Sequence, residues 1–183
     1  MLMELDRFWS IIDESQSDFD PSRPKTIRDG NMSAQLAKLA AVLSALEPKE
    51  IGAFSNRFSE LFHSAYRWDL WAAGYIIEGG CSDDGFADFR YWLISMGRTV
   101  FENAMSDVES LADVAFGPDI ECTQFEEFGY VANQVLRKRG ITEDEAGLMA
   151  FKYPDSPTGD EWGYGDLPTR FPRLTAAEAQ YGS

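Results

Sequence analysis

The sequence predicts an all-α protein: a compact helical bundle of about seven to nine helices with an extended Pro/Gly-rich C-terminal segment. Three observations carry this reading. Apolar residues recur at helical spacing through most of the chain. Helix start and stop signals punctuate it. No stretch alternates apolar and polar residues between hairpin turns, as a sheet would require. The 183 residues are 44% hydrophobic and 14% aromatic, enough to bury a core. The length suits one domain, read as a helical part, 1–152, with an extended part, 153–183, packed on it.

Leu5, Phe8, Trp9 and Ile12 fall on one face of a first helix. Ser15 to Asn31 then holds Pro21, Pro24 and Gly30 among polar residues and reads as a surface connection. Leu36, Leu39, Ala40, Leu43 and Leu46 restore the helical spacing. Pro48 suits the first turn of the next helix, whose stripe is Ile51, Phe54, Phe58, Leu61 and Phe62. The aromatic stretch Trp68 to Glu78 is a fourth helix, and Gly79-Gly80 ends it through a left-handed cap.

Ser82 caps a helix over Asp83 to Met96, with Asp83 and Asp84 at its positive end. Its expected core stripe is Phe86, Phe89, Leu93 and Met96, with Asp84, Asp88 and Trp92 on a second line. Three pairs, Ser106 with Glu109, Thr123 with Glu126 and Thr142 with Glu145, have the spacing of capping boxes. Phe125, Phe128, Ala132, Val135 and Leu136 follow at helical spacing, and Gly140 is placed to stop that helix. Seven Pro and Gly residues between Pro154 and Pro172 exclude a long regular element there. Trp162, Tyr164, Leu167, Phe171 and Leu174 are expected to fill grooves between the helices.

Sixteen Lys and Arg against 31 Asp and Glu give a formal charge of −15. That disfavours direct nucleic-acid binding and attachment to anionic membranes. Neither a membrane-spanning apolar run nor a secretory signal is read, and two cysteines suit a reducing cytoplasm.

Gly79 to Arg98 contains Gly-Gly-Cys-Ser-Asp-Asp, then Phe-Ala-Asp-Phe-Arg-Tyr-Trp-Leu-Ile, then Gly-Arg. With Phe8-Trp9 and Asp69-Leu70-Trp71-Ala72-Ala73, this string resembles the bacterial family catalogued as domain of unknown function 4240. The resemblance spans about residues 4 to 140, and Phe171-Pro172-Arg173-Leu174 resembles how some members end. It implies no reaction, because the family is defined by sequence alone.

The candidate binding or structural motif is Cys81, Ser82, Asp83, Asp84, Asp88, Arg90, Trp92 and Arg98. Arg90 is expected at the core edge, its five donors satisfied by a carboxylate among Asp69, Glu78, Asp83 and Asp84 or by exposed carbonyls. A thiol just before a helix start, such as Cys81, can become reactive. His63, the only histidine, lies beside the stripe of its own helix rather than on it, so a Cys81–His63 dyad depends on the fold bringing the two together. Glu78, Asp83, Asp84 and Asp88 lack the calcium-loop spacing, and Asp83 and Asp84 read as caps, so neither metal nor cofactor is expected. Aromatics such as Trp68, Trp71, Tyr75 and Trp92 can line a groove but at this spacing read as core. The expected function is a non-catalytic module that meets a basic protein partner through an acidic face. The alternative is a small-molecule- or metal-dependent enzyme using Glu78 to Arg98.

Overall fold

A computed structural model describes residues 1–181. The chain forms α1 (Leu5–Ser15), α2 (Ser33–Ser44), α3 (Pro48–Ser64), α4 (Trp68–Glu78), α5 (Asp83–Ser95), α6 (Arg98–Ser106), α7 (Val131–Lys138), α8 (Glu143–Ala146), α9 (Leu167–Arg170) and α10 (Pro172–Tyr181). Short 3-10 turns occupy Val108–Asp113, Glu126–Tyr130 and Tyr164–Asp166. Eight of these α-helices, among the described residues, have eight residues or more. The expected all-helical character is what the chain adopts.

One aromatic and aliphatic core joins the helices. Phe8 and Trp9 of α1 meet Phe54 of α3 and Phe101 of α6, while Phe86, Phe89 and Trp92 of α5 run through the centre. Leu5 is exposed instead of joining the α1 face, and Ile11 is buried. Phe8, Trp9 and Ile12 stay buried, so the buried face extends toward Ile11 and Ser15 rather than turning as a whole. Where α1, α2 and α5 meet, buried Gln35 donates to Ser15 Oγ (3.1 Å) and to the Ser95 carbonyl (2.9 Å), which satisfies a polar group inside the core.

The connection between α1 and α2 is anchored at two points. Buried Asn31 donates to the carbonyls of Asp20, Arg23 and Pro24. Thr26 Oγ1 accepts from the backbone of Glu121 and Cys122, both at 3.2 Å, fixing the loop that follows residue 113. At α3, Gly52 and Asn56 lie one turn apart on the face that receives α8. Asn56 Nδ2 donates to the Gly147 carbonyl (2.9 Å), and Met149 N donates to Asn56 Oδ1 (2.8 Å).

Two expected capping boxes do not form. Ser106 ends α6, and Asp107 caps the following turn by accepting from Glu109 N. An acceptor one residue nearer the turn displaces the hydroxyl. Thr123 is buried, and its Oγ1 has no hydrogen-bond partner. Thr142 does form its box, accepting from Glu145 N while Thr142 N donates to Glu145 Oε2.

The C-terminal segment is not extended throughout, which corrects the expectation. From Leu167 it is helical, because Pro168 and Pro172 sit at helix starts, where a missing N–H is harmless. Leu167, Phe171 and Leu174 are buried, but Tyr164 is 71% exposed and fills no groove. α10 packs on α4 and on Val108–Asp113. Upstream, Trp68 N donates to the Thr158 carbonyl and Thr158 N donates to the Tyr66 carbonyl, strapping the segment to the α3–α4 corner.

Candidate functional site

The turn between α4 and α5 positions the motif. Gly79 adopts φ +67°, a left-handed conformation costly for side chains bearing a Cβ, and Gly80 N returns to the Tyr75 carbonyl at 2.9 Å. Ser82 Oγ accepts from Gly85 N at 3.2 Å and so starts α5, with Asp83 and Asp84 exposed in the first turn. Trp71 Nε1 donates to the Cys81 carbonyl at 3.0 Å, tying the turn back to α4.

Cys81 is half-buried, with its thiol beside Gly74 and Gly85. Burial, reinforced by Glu78 and Asp88, pushes the thiol up to about 12. The position before a helix start thus does not yield a thiolate: desolvation and nearby carboxylates outweigh the helix end. His63 packs against Phe62, Phe151 and Tyr153 and shares no hydrogen bond with Cys81. Burial, then the Arg90 charge, lowers its pKa.

Arg90 is 1% exposed, well inside the core rather than at its edge. Its Nε donates to the Phe86 carbonyl (3.3 Å), one Nη to the Phe62 carbonyl (3.1 Å) and the other to Tyr153 Oη (2.8 Å). The guanidinium carbon lies 3.9 Å from the Phe62 ring centre, 4.7 Å from Phe86 and 4.9 Å from Tyr66. Among the described residues no carboxylate forms an ion pair with it, and Asp69 pairs with Arg67 instead. Of the two expected kinds of acceptor, carbonyls serve and carboxylates do not. Three aromatic faces and three neutral oxygens solvate the charge, and burial lowers its pKa from the ordinary arginine value.

Asp88 is half-buried, not a freely solvated helix position. Its carboxyl is raised above the usual carboxylate range by burial first, then by Glu126, against Arg28, and by Asp84 and Glu127. Tyr130, exposed beside them, donates to Glu126 Oε1 at 3.2 Å. The start of α5 and the Glu126–Tyr130 turn thus hold four carboxylates on one face. Phe125 N donates to the Asp88 carbonyl at 3.1 Å and fixes the two segments together.

A folded-state pKa above the unfolded value means the folded protein binds more protons in that interval. The Asp88 contribution therefore favours folding at low pH and is lost as pH rises through the raised pKa. Asp88→Asn should raise the neutral-pH melting temperature, by less than about 1 kcal/mol equivalent after solvent screening. Melts at falling pH should show the advantage shrinking, and it should vanish below the ordinary aspartate range.

The remaining motif residues diverge from this face. Trp92, on the same helical line as Asp84 and Asp88, is fully buried, as a core aromatic is expected to be. Arg98 lies past the other end of α5 and bonds Asp6 and Glu102, each at 2.7 Å. Among the described residues, no three His, Cys, Asp or Glu side chains are grouped to share a metal ion. Sequence reasoning missed Tyr153 and the Phe62 carbonyl as partners of Arg90, because neither periodicity nor spacing links them.

Residues 3–138 match the family described as "Protein of unknown function (DUF4240)", and the chain belongs to that family. Nothing matches among the curated proteins or the solved structures.

Proposed function

We propose that this family member is a non-catalytic binding module whose acidic face, Asp84, Asp88, Glu126 and Glu127, engages a basic protein partner. The observation that carries the reading is the juxtaposition of the two acidic segments, held by the bond from Phe125 N to the Asp88 carbonyl, with Arg28, 3.9 Å from Glu127, as the cation already paired there. The fold holds like charges close enough to oppose one another, and a cationic partner would offset that repulsion. The formal charge of −15 adds long-range attraction. Cys81 and Cys122, both free thiols, support a cytoplasmic setting, and no helix of the described residues is long and apolar enough to cross a membrane. An enzyme centred on Glu78 to Arg98 gains no support from residues that point to separate places.

The test is fluorescence anisotropy with a labelled Lys/Arg-rich peptide over a salt series. Binding should be measurable at low salt and weaken as salt rises. Joint substitution Asp84→Asn, Asp88→Asn, Glu126→Gln and Glu127→Gln should weaken it at least tenfold, about 1.4 kcal/mol. Neutralising Glu14, Glu143, Asp144 and Asp160 should do much less. Equal loss in both sets would mean bulk charge alone attracts the peptide, and the reading would fail.

A further inference from the structure

The cleft between the C-terminal end of α4, the loop 114–123 and α10 has a volume of about 560 Å³, within the usual range for small-molecule sites. Ile76, Ile77, Phe116 and Ile120 contribute apolar side chains to a lining that is mostly polar. Glu78, Glu121 and Glu178 line it from three separate segments. Thr123, 4% exposed, also lines it, and its Oγ1 has no hydrogen-bond partner. A buried hydroxyl without a partner is expensive and uncommon in folded proteins, and Thr123 places one at the edge of this cleft.

We propose that this cleft binds a linear aliphatic diamine, with its methylenes along the apolar side chains and its two ammoniums at separate carboxylates, one of them at Glu78 and the Thr123 hydroxyl. An ammonium offers three donors and no acceptor, which suits carboxylate oxygens together with a hydroxyl oxygen. An anion would meet three like charges. A wholly apolar ligand would cover the half-buried Glu78 carboxylate and leave the Thr123 hydroxyl without a partner. Glu78, Glu121 and Glu178 come from separate segments, which suits a ligand charged at both ends. Glu78 supports the same reading: its Oε2 receives only a long bond, 3.4 Å, from Gln124 Nε2, and burial raises its carboxyl while Arg28 acts in the opposite sense. The site stands apart from the acidic-face reading and does not rest on it.

The test uses the full chain, with 1,6-diaminohexane as probe, 1,6-hexanediol as its neutral analogue and Mg²⁺ at matched charge. By calorimetry and thermal melts, the diamine should bind and raise the melting temperature, while the diol does neither. Glu78→Gln should weaken the diamine at least tenfold with the fold retained by circular dichroism. Thr123→Val should raise the melting temperature of the protein alone, because it removes a buried hydroxyl without a partner, yet weaken the diamine several-fold. Absence of diamine binding at millimolar concentration would overturn the proposal. So would an equal stabilisation by Mg²⁺, or unchanged affinity in either variant.

Discussion

Arg90→Ala should lower stability by at least about 3 kcal/mol, a fall in melting temperature of roughly 6–12 °C for a chain of this size. The loss has two sources. The Phe62 carbonyl belongs to the last turn of α3, where helix geometry leaves acceptors short of donors, and Arg90 supplies one. The side chain also fills the space among the Phe62, Tyr66 and Phe86 rings, and its removal opens a cavity comparable to those of large-to-small core substitutions. Arg90→Lys keeps the charge and much of the stem but loses the planar fork, so it should fall between the two. Urea titrations with equal slopes would separate the stability change from a change in the unfolded state. A midpoint unchanged in Arg90→Ala would show that the guanidinium is not what holds α3, α5 and Tyr153 together.

Gly52→Ala should also destabilise, against the ordinary rule. In a helix interior, Gly to Ala is worth up to about 1 kcal/mol of added stability. Here the new Cβ would stand 1.8 Å from the Ala146 carbonyl oxygen, when carbon–oxygen contacts settle near about 3.3–3.6 Å. Backbone on both sides leaves no flexible side chain to give way. α8 must retreat by more than about 1 Å, straining the bonds that Asn56 makes to Gly147 and Met149. A net loss of about 2 kcal/mol or more follows. Limited proteolysis should cut the chain faster between residues 139 and 150, and a melting temperature at or above that of the unsubstituted protein would contradict the close approach.

Local signals placed most elements and failed where distant contacts decide. The start of α3 at Pro48, the span of α4 and the Ser82 cap depend on adjacent residues, and each follows from sequence spacing. Thr123 and Ser106 failed as caps because tertiary packing and a competing Asp107 determined their surroundings. Pro and Gly content exaggerated the irregularity of the C-terminal segment, since prolines at helix starts and prolines inside helices look alike in composition. For the candidate site, the acids at the start of α5 were visible. The meeting of Asp84 and Asp88 with Glu126 and Glu127 was not, because it depends on a contact between segments about forty residues apart. The neutral surroundings of Arg90 were hidden for the same reason: Tyr153 lies 63 positions away.

That separation has a consequence for how the molecule is made. The hydroxyl that completes the shell of Arg90 and the strand-like strap at Thr158 both lie beyond the matched residues 3–138, as does α10, which covers α4. At ribosomal speeds of about 5–20 residues per second, several seconds of synthesis separate the emergence of Arg90 from that of Leu174. During that interval the nascent domain carries an incompletely solvated cation and a bare apolar seam. A fragment ending near residue 138 would keep that condition permanently and should be a substrate for chaperones rather than a free-standing domain.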